Sequence, residues 1–165
     1  MNVFTEKVIV DSSVRELCNR PYPNHPKGCP NHHKRAMCPP RCPHLEDYYD
    51  ISQGFYVVWI EFDIGAHIRR MAERHPNWSQ RQKECCLYWQ GTARRKLKEA
   101  VAVVEYEKYY CKDKINWKTS FCPEAMGVNV TATMKNLGVI LEWPPQNIVR
   151  KVAIIGIRKK KIKKT

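Results

Sequence analysis

The chain lacks several features that would assign it to a common class of protein. No apolar run in its 165 residues approaches the length of a membrane span. Its start, MNVFTEKVIVDSS, contains an acidic residue and no long apolar stretch, so it is not typical of a signal peptide. It has no Gly-rich phosphate loop, no G-x-S-x-G elbow and no H-E-x-x-H motif. We therefore expect a cytoplasmic protein without a membrane partner.

The composition is that of a folded domain with an uneven charge. A hydrophobic share of 43% and five tryptophans argue against disorder, and the length suits one domain. The net charge is +13, and residues 150–165 carry eight Lys/Arg and no acid. We predict a single metal-binding domain over residues 1–157 and a basic tail over residues 158–165. Such a tail attracts polyanions, although it would also serve simply as a solubilising end.

One segment, residues 18–44, has almost no aliphatic side chains. Its seven prolines exclude a helix or a central strand, because proline removes a backbone donor and fixes φ. The segment cannot be ordered by apolar burial either, so we expect bonds to a metal to order it. This Cys/Pro segment contains four cysteines and four histidines: Cys18, Cys29, Cys38, Cys42, His25, His32, His33 and His44.

The cysteines themselves favour metal ligation. In a reducing cytoplasm, eight cysteines are more typical of ligands or buried thiols than of disulfides. Proline directly follows four of them, a pattern familiar from ferredoxin-type loops, in which a turn presents sulfur to a cluster. We predict that Cys18, Cys29 and Cys38 are ligands and that Cys122 closes the site. Cys42 and Cys111 stay open as alternatives for the fourth position.

The adjacent pair Cys85-Cys86 falls on a predicted helix and is interpreted differently. Adjacent helical side chains point about 100° apart, so they do not easily share one ion. Cys86 also lies on the apolar stripe of that helix, and free cysteine commonly behaves as a small buried hydrophobe. We expect this pair to be structural.

Two function classes follow from these patterns. The first is a protein with one cubane iron–sulfur cluster, used in redox or sulfur-transfer chemistry. The second is a zinc-stabilised nucleic-acid-binding protein without catalysis. Its zinc would be bound by Cys29, His32 or His33, Cys38 and Cys42. The basic tail would hold the nucleic acid, and Trp78, Tyr88 or Trp117 would be available for base stacking. Soft thiolates in excess suit either metal, and we favour iron.

The hydrophobic pattern predicts an α/β or α+β fold with a small sheet of about four strands. Residues 55–64 are apolar on both faces, so this strand should be central and covered on two sides. Helical spacing from Cys86 to Val104 predicts a long helix that begins after Ser79. The predicted strands are 7–10, 55–64, 139–143 and 148–157, and the predicted helices are 66–74, 79–108 and 130–137.

The order of the cysteine motifs resembles that of a known family. The motifs are Val14 to Cys18, then Cys29-Pro30-Asn31, then Cys38-Pro39-Pro40, followed by EAMGVNVTATMKNLGV at residues 124–139. They are similar to the signature of the cysteine-rich "predicted metal-binding protein" family of archaea and bacteria. The resemblance implies an iron–sulfur or other metal site on Cys18, Cys29 and Cys38, with a further ligand from the C-terminal half. It implies no particular reaction.

Overall fold

An antiparallel sheet of four strands forms the middle layer of the structure. The computed structural model describes residues 1–21, 26–29, 31–110 and 116–160. The strands in these ranges are β1 (Asn2–Thr5), β2 (Phe55–Asp63), β3 (Trp117–Ser120) and β4 (Ile148–Ile157). Their spatial order is β1-β2-β4-β3, and all pairs are antiparallel. With helices packed on this sheet, the fold is α+β, one of the two predicted classes.

Strand β2 is the central strand that its apolar pattern predicts. It pairs with β1 on one side and with β4 along its whole length on the other. Phe55, Val57 and Trp59 enter a first core on one face of the sheet. The intervening side chains Val58, Ile60 and Phe62 enter a second core on the other face. Because both faces are covered, neither face of the strand carries a polar pattern.

The described ranges contain five α-helices: α1 (Leu45–Tyr48), α2 (Ile64–Arg74), α3 (Gln80–Lys83), α4 (Gln90–Tyr110) and α5 (Val130–Asn136). Helix α4 covers the second core through Ala93, Leu97 and Val101, whose spacing places them on one helical face. Helix α5 contributes Val130 and Met134 to the first core. None of the described helices is long and apolar enough to cross a membrane.

The first strand differs from the prediction. Residues 7–10 were expected to form it, but Asn2–Thr5 pair with β2 instead. The N–H of Ile9 donates to Thr133 Oγ1 at 3.0 Å, and Val10 makes only an isolated bridge with Val128. The backbone groups of this apolar stretch are therefore satisfied by the segment around α5 rather than by the sheet.

The predicted strand at residues 139–143 was also wrong. Val139 and Leu141 pack against the first core, but their backbone joins no ladder of the described sheet. The strand next to β4 is instead β3, whose residues were expected to lie in a loop. The alternating apolar residues here show that every second side chain packs on the core, and this does not require that the segment pair as a strand.

The long helix predicted after Ser79 is broken into three pieces. Ser79 caps α3 as expected, through a capping box with Gln82. The chain then leaves the helical path, and the Trp89 indole N–H donates to the Glu84 carbonyl at 3.2 Å. A 3-10 turn over Cys86–Tyr88 follows before α4 begins. This turn leaves Cys86 exposed, so its predicted place on the buried stripe was wrong.

Replacement of Leu97 by Ala should destabilise the protein by about 2–5 kcal/mol, because it leaves a cavity between α4 and the sheet. The neighbouring exposed position supplies a matched control on the same helix. Lys98→Ala should change the free energy of unfolding by no more than about 0.5 kcal/mol. Urea denaturation of both variants checks this; equal effects would contradict the assigned face of α4.

Candidate metal centre

Two short 3-10 helices that carry or adjoin distant cysteines pack against each other. The first, Ser12–Asn19, carries Cys18, and the second, Pro123–Met126, is preceded by Cys122 as its N-cap residue. The Asp11 N–H donates to the Gly127 carbonyl at 2.7 Å, which joins the two segments. Local packing therefore places the helix that carries Cys18 against the helix that Cys122 precedes, although Cys122 comes 104 positions after Cys18 in the sequence.

The Cys/Pro segment is joined to the first of these helices by its backbone. The Cys29 N–H donates to the Cys18 carbonyl at 2.8 Å, and the Cys42 N–H donates to the Cys38 carbonyl at 3.0 Å. Arg15 adds a side-chain link, because its Nη2 donates to the Cys42 carbonyl at 2.7 Å. The segment thus folds back over the helix that carries Cys18.

Gly28 makes the closest of these approaches possible. Its φ is +75°, in the left-handed region, and a Cβ built there would lie 2.6 Å from the Cys18 carbonyl oxygen. Glycine alone has neither the strain nor the clash. The contact between the Cys29 and Cys18 backbones therefore depends on Gly28.

Burial raises the pKa of three thiols in this region. It does so for Cys18 and Cys122, and it raises the pKa of Cys42 to about 11. At neutral pH these groups are protonated unless a cation offsets the cost of the thiolate. A bound metal would supply that cation, and its binding would release protons.

After burial, neighbouring thiols contribute to the same shifts. Cys38 is common to all of them, since its charge raises the pKa of Cys18, Cys42 and Cys122. Cys29 acts on Cys18, and Cys122 acts on Cys42. Each of these five thiols therefore acts on, or is acted on by, at least one of the others. We call this set, Cys18, Cys29, Cys38, Cys42 and Cys122, the thiol cluster.

Cys122 and Glu124 line the outer side of the cluster. Both residues keep exposed surface, yet burial by the surrounding protein raises the pKa of each side chain. Cys42 lies on the inner side and is 1% exposed, as part of the first core beside Leu45.

The thiol cluster is not arranged as a finished metal site. Within the described ranges, no group of three or more His, Cys, Asp or Glu side chains has the arrangement needed to hold a metal ion. Cys111 and His25 lie outside the described residues. The backbone joins Cys29 to Cys18, and the charge of Cys38 acts on the thiols of Cys18 and Cys122. The ligation of a metal by Cys18, Cys29, Cys38 and Cys122 stays a prediction.

Two observations of the site fit a thiolate-bound metal. The donors that converge are sulfur atoms, and thiolates are the ligands that iron–sulfur clusters and zinc prefer. In addition, Arg15 Nη1 is buried and has no hydrogen-bond partner among the described residues. An N–H left without an acceptor costs free energy, and a thiolate or sulfide beside it would accept its hydrogen bond.

Sequence reasoning missed Arg15, Glu124 and Lys151, which surround the cluster. The charge of Arg15 lowers the pKa of Cys18 and Cys42, which burial otherwise raises. The only available indication for Lys151 was a lysine within the apolar run IVRKVAIIGI. Arg15 stands three positions before Cys18, which places it on the same side of a 3-10 helix.

Replacement of Gly28 by Ala should displace Cys29 from Cys18 and lower the metal content of the purified protein. Gly138→Ala is a matched control, because its φ is +77° and nothing lies within 4 Å of the added Cβ. Both substitutions carry the left-handed strain of about 1–2 kcal/mol, but only the first adds a clash. Metal analysis of both variants by mass spectrometry checks this. Equal metal content would show that the close approach at Gly28 is not needed.

Comparison with known proteins gives one match. The family model described as predicted metal-binding protein (DUF2284) covers residues 2–157. No curated protein and no solved structure matches the chain. The matched range contains the whole thiol cluster and all four strands. The chain therefore belongs to the predicted metal-binding protein family.

Proposed function

We propose that this protein binds one iron–sulfur cluster through Cys18, Cys29, Cys38 and Cys122, within a cytoplasmic domain that spans residues 1–157. The observation that supports it is the grouping of five thiols from separate segments of the chain, each of which acts on, or is acted on by, at least one other. More thiols are grouped here than the four that one site needs. This excess favours ligation by sulfur alone over the mixed zinc site with His32 or His33.

Each part of the site has a role in this proposal. The four cysteines donate thiolates, and Pro123 begins the turn that directs Cys122 toward the others. Arg15 donates a hydrogen bond from Nη1 to a sulfur and partly offsets the negative charge there. Cys42 separates the site from the first core. When bound, the cluster would supply one-electron transfer, or an open iron for sulfur transfer if one position lacks a thiolate.

Anaerobic purification tests the proposal directly. We expect a coloured protein with absorption in the blue, and about four iron and four sulfide per chain for a cubane cluster. Cys38→Ser should remove most of the iron, because it replaces one of the four proposed thiolate ligands by a hydroxyl, which is a poor ligand for iron in such a cluster. Cys85→Ser, outside the thiol cluster, is the control and should keep it. A colourless protein with stoichiometric zinc would refute the proposal.

A second candidate function, nucleic-acid binding, is favoured by one surface feature. His75, Trp78 and Tyr88 form a stack, with ring centroids 3.9 Å and 5.1 Å apart. Tyr88 is exposed, as are Arg74 and Arg81 close by in the sequence. Aromatic rings beside cationic side chains are typical of surfaces that bind single strands. Trp117, by contrast, is partly buried against the second core, and its predicted role in stacking stays a prediction.

This candidate predicts salt-dependent binding of a single-stranded oligonucleotide. A chain ending at Ile157 should bind more weakly, and the slope of its salt dependence should be shallower by about 0.7 for each phosphate that the tail no longer neutralises. Trp78→Ala should also weaken binding. Trp143→Ala is the control, since Trp143 is an exposed tryptophan outside the stack. Fluorescence anisotropy measures both effects; binding that is absent, or unchanged in both variants, would eliminate this function.

A further inference from the structure

A cavity opens at the end of the sheet where β1 and β2 finish their pairing. The last residue pair of these strands is Thr5 with Phe55, and the cavity beside it has a volume of about 550 Å³. Its floor is apolar and belongs to the first core, through Val8, Leu45 and Phe55. A cavity of this size is within the range of pockets that bind small ligands, roughly 300–1,000 Å³.

Both walls of this cavity are fixed by contacts that lie outside it. One wall runs along residues 6–10, and the Ile9 N–H in this segment donates to Thr133 Oγ1 at 3.0 Å. The other wall is a 3-10 helix, Ile51–Gln53, which Asp50 caps. The fold therefore preorganises the cavity, and binding of a ligand would not have to order its walls.

Three apolar side chains of the cavity lining keep surface that water reaches. Phe4, Val10 and Ile51 are 49%, 45% and 50% exposed. The Phe4 ring lies directly against Gly54, since a Cβ added to that glycine would come within 2.7 Å of the ring. A ligand with an apolar body would remove this surface from water, and this would contribute to its affinity.

Two opposite charges line the same cavity. Glu6 and Lys7 are both exposed members of its lining, although consecutive side chains of a strand point to opposite faces. The chain leaves the strand geometry here, because Thr5 Oγ1 donates to the Lys7 carbonyl at 2.9 Å. Within the described residues, neither of the two charged side chains forms an ion pair or a hydrogen bond. One carboxylate and one ammonium group can therefore bind a ligand in the cavity.

We propose that this cavity binds a small zwitterion with an apolar body, of the class of apolar amino acids and dipeptides. Lys7 would bind the carboxylate of the ligand and Glu6 its ammonium group. The floor of Val8, Leu45 and Phe55 would contact its apolar side chain. A ligand with a single charge would meet a like charge as well as an opposite one, so a zwitterion is the better electrostatic match. The site needs no metal and is independent of the proposed iron–sulfur cluster.

Calorimetric titration of the full-length protein tests the site, with L-phenylalanine and L-leucyl-L-phenylalanine as the two probes. The comparison of the probes distinguishes an amino-acid site from a dipeptide site. Two analogues of the preferred probe then test the charges: one lacks the amino group, and the other has an amide in place of the carboxylate. Each analogue should bind about two- to fivefold more weakly than the probe, because each loses one exposed ion pair.

Two charge variants assign each ligand group to its partner. Lys7→Gln should bind the probe and its amide analogue with equal affinity, since the ammonium group that distinguishes them is gone. Glu6→Gln should likewise bind the probe and the analogue without an amino group equally. Lys98→Gln, on the exposed side of α4, is the matched control and should keep both differences.

The apolar part of the site is tested at an exposed position, where a substitution should not prevent folding. Ile51→Ser should weaken binding of the preferred probe about tenfold, because it removes apolar contact surface. Ile140→Ser is the matched control, since Ile140 is exposed and lies outside the cavity, and it should bind as the parent does. Parent protein that binds neither probe, an Ile51→Ser variant with the parent's affinity, or charge variants that keep both differences would each overturn the proposal.

Discussion

The pairing of β2 with β4 is the constraint on which the other features depend. Nine consecutive residue pairs, from Phe55 with Gly156 to Asp63 with Ile148, fix the register of the two strands. A slip by one residue would exchange the faces of every side chain on one strand. It would remove Lys151 from the side of α4, and it would move β3, which is attached to β4 and leads directly into Cys122. The positions of the site residues thus depend on the register of the sheet.

In the thiol cluster, burial of polar groups has a free-energy cost that packing does not offset. Burial there raises the pKa of Cys18, Cys42 and Cys122, and Arg15 holds a buried N–H without a described acceptor. Natural proteins tend to place such local conflicts at functional sites. A thiolate-bound metal would relieve both conflicts together, since it lowers the cost of each thiolate and provides sulfur as an acceptor.

The sequence could predict the centre of the fold better than its edges. The run from Phe55 to Asp63 is apolar on both faces, which is the pattern expected of a strand that is buried on both faces. Strand β3 escaped prediction because WKTS is short, mostly polar and without a clear period, so its pairing with β4 is a tertiary effect. Residues 139–143 produced the opposite error, because alternate burial does not require a ladder.

The candidate site was predictable to the extent that cysteine chemistry is local. The Cys-Pro dipeptides mark Cys29, Cys38, Cys42 and Cys122, and all four are members of the thiol cluster with Cys18. Their neighbours were not predictable, because Glu124 and Lys151 approach the cluster only through the folding of distant segments. The exposure of Cys86 was missed for a similar reason, since the hydrogen bond from Trp89 to Glu84 breaks the helix that the apolar stripe suggested.

The separation of the two cores by the sheet has a consequence for cooperativity. Cys42 belongs to the first core and no thiol of the cluster belongs to the second. A disturbance at Cys42 therefore reaches the layer around Leu45 and Met126 directly. We expect the two layers to open as distinct local units. Trp59 lies in one layer and Trp89 lies in the other. Each layer therefore contains an indole whose signal would report its opening.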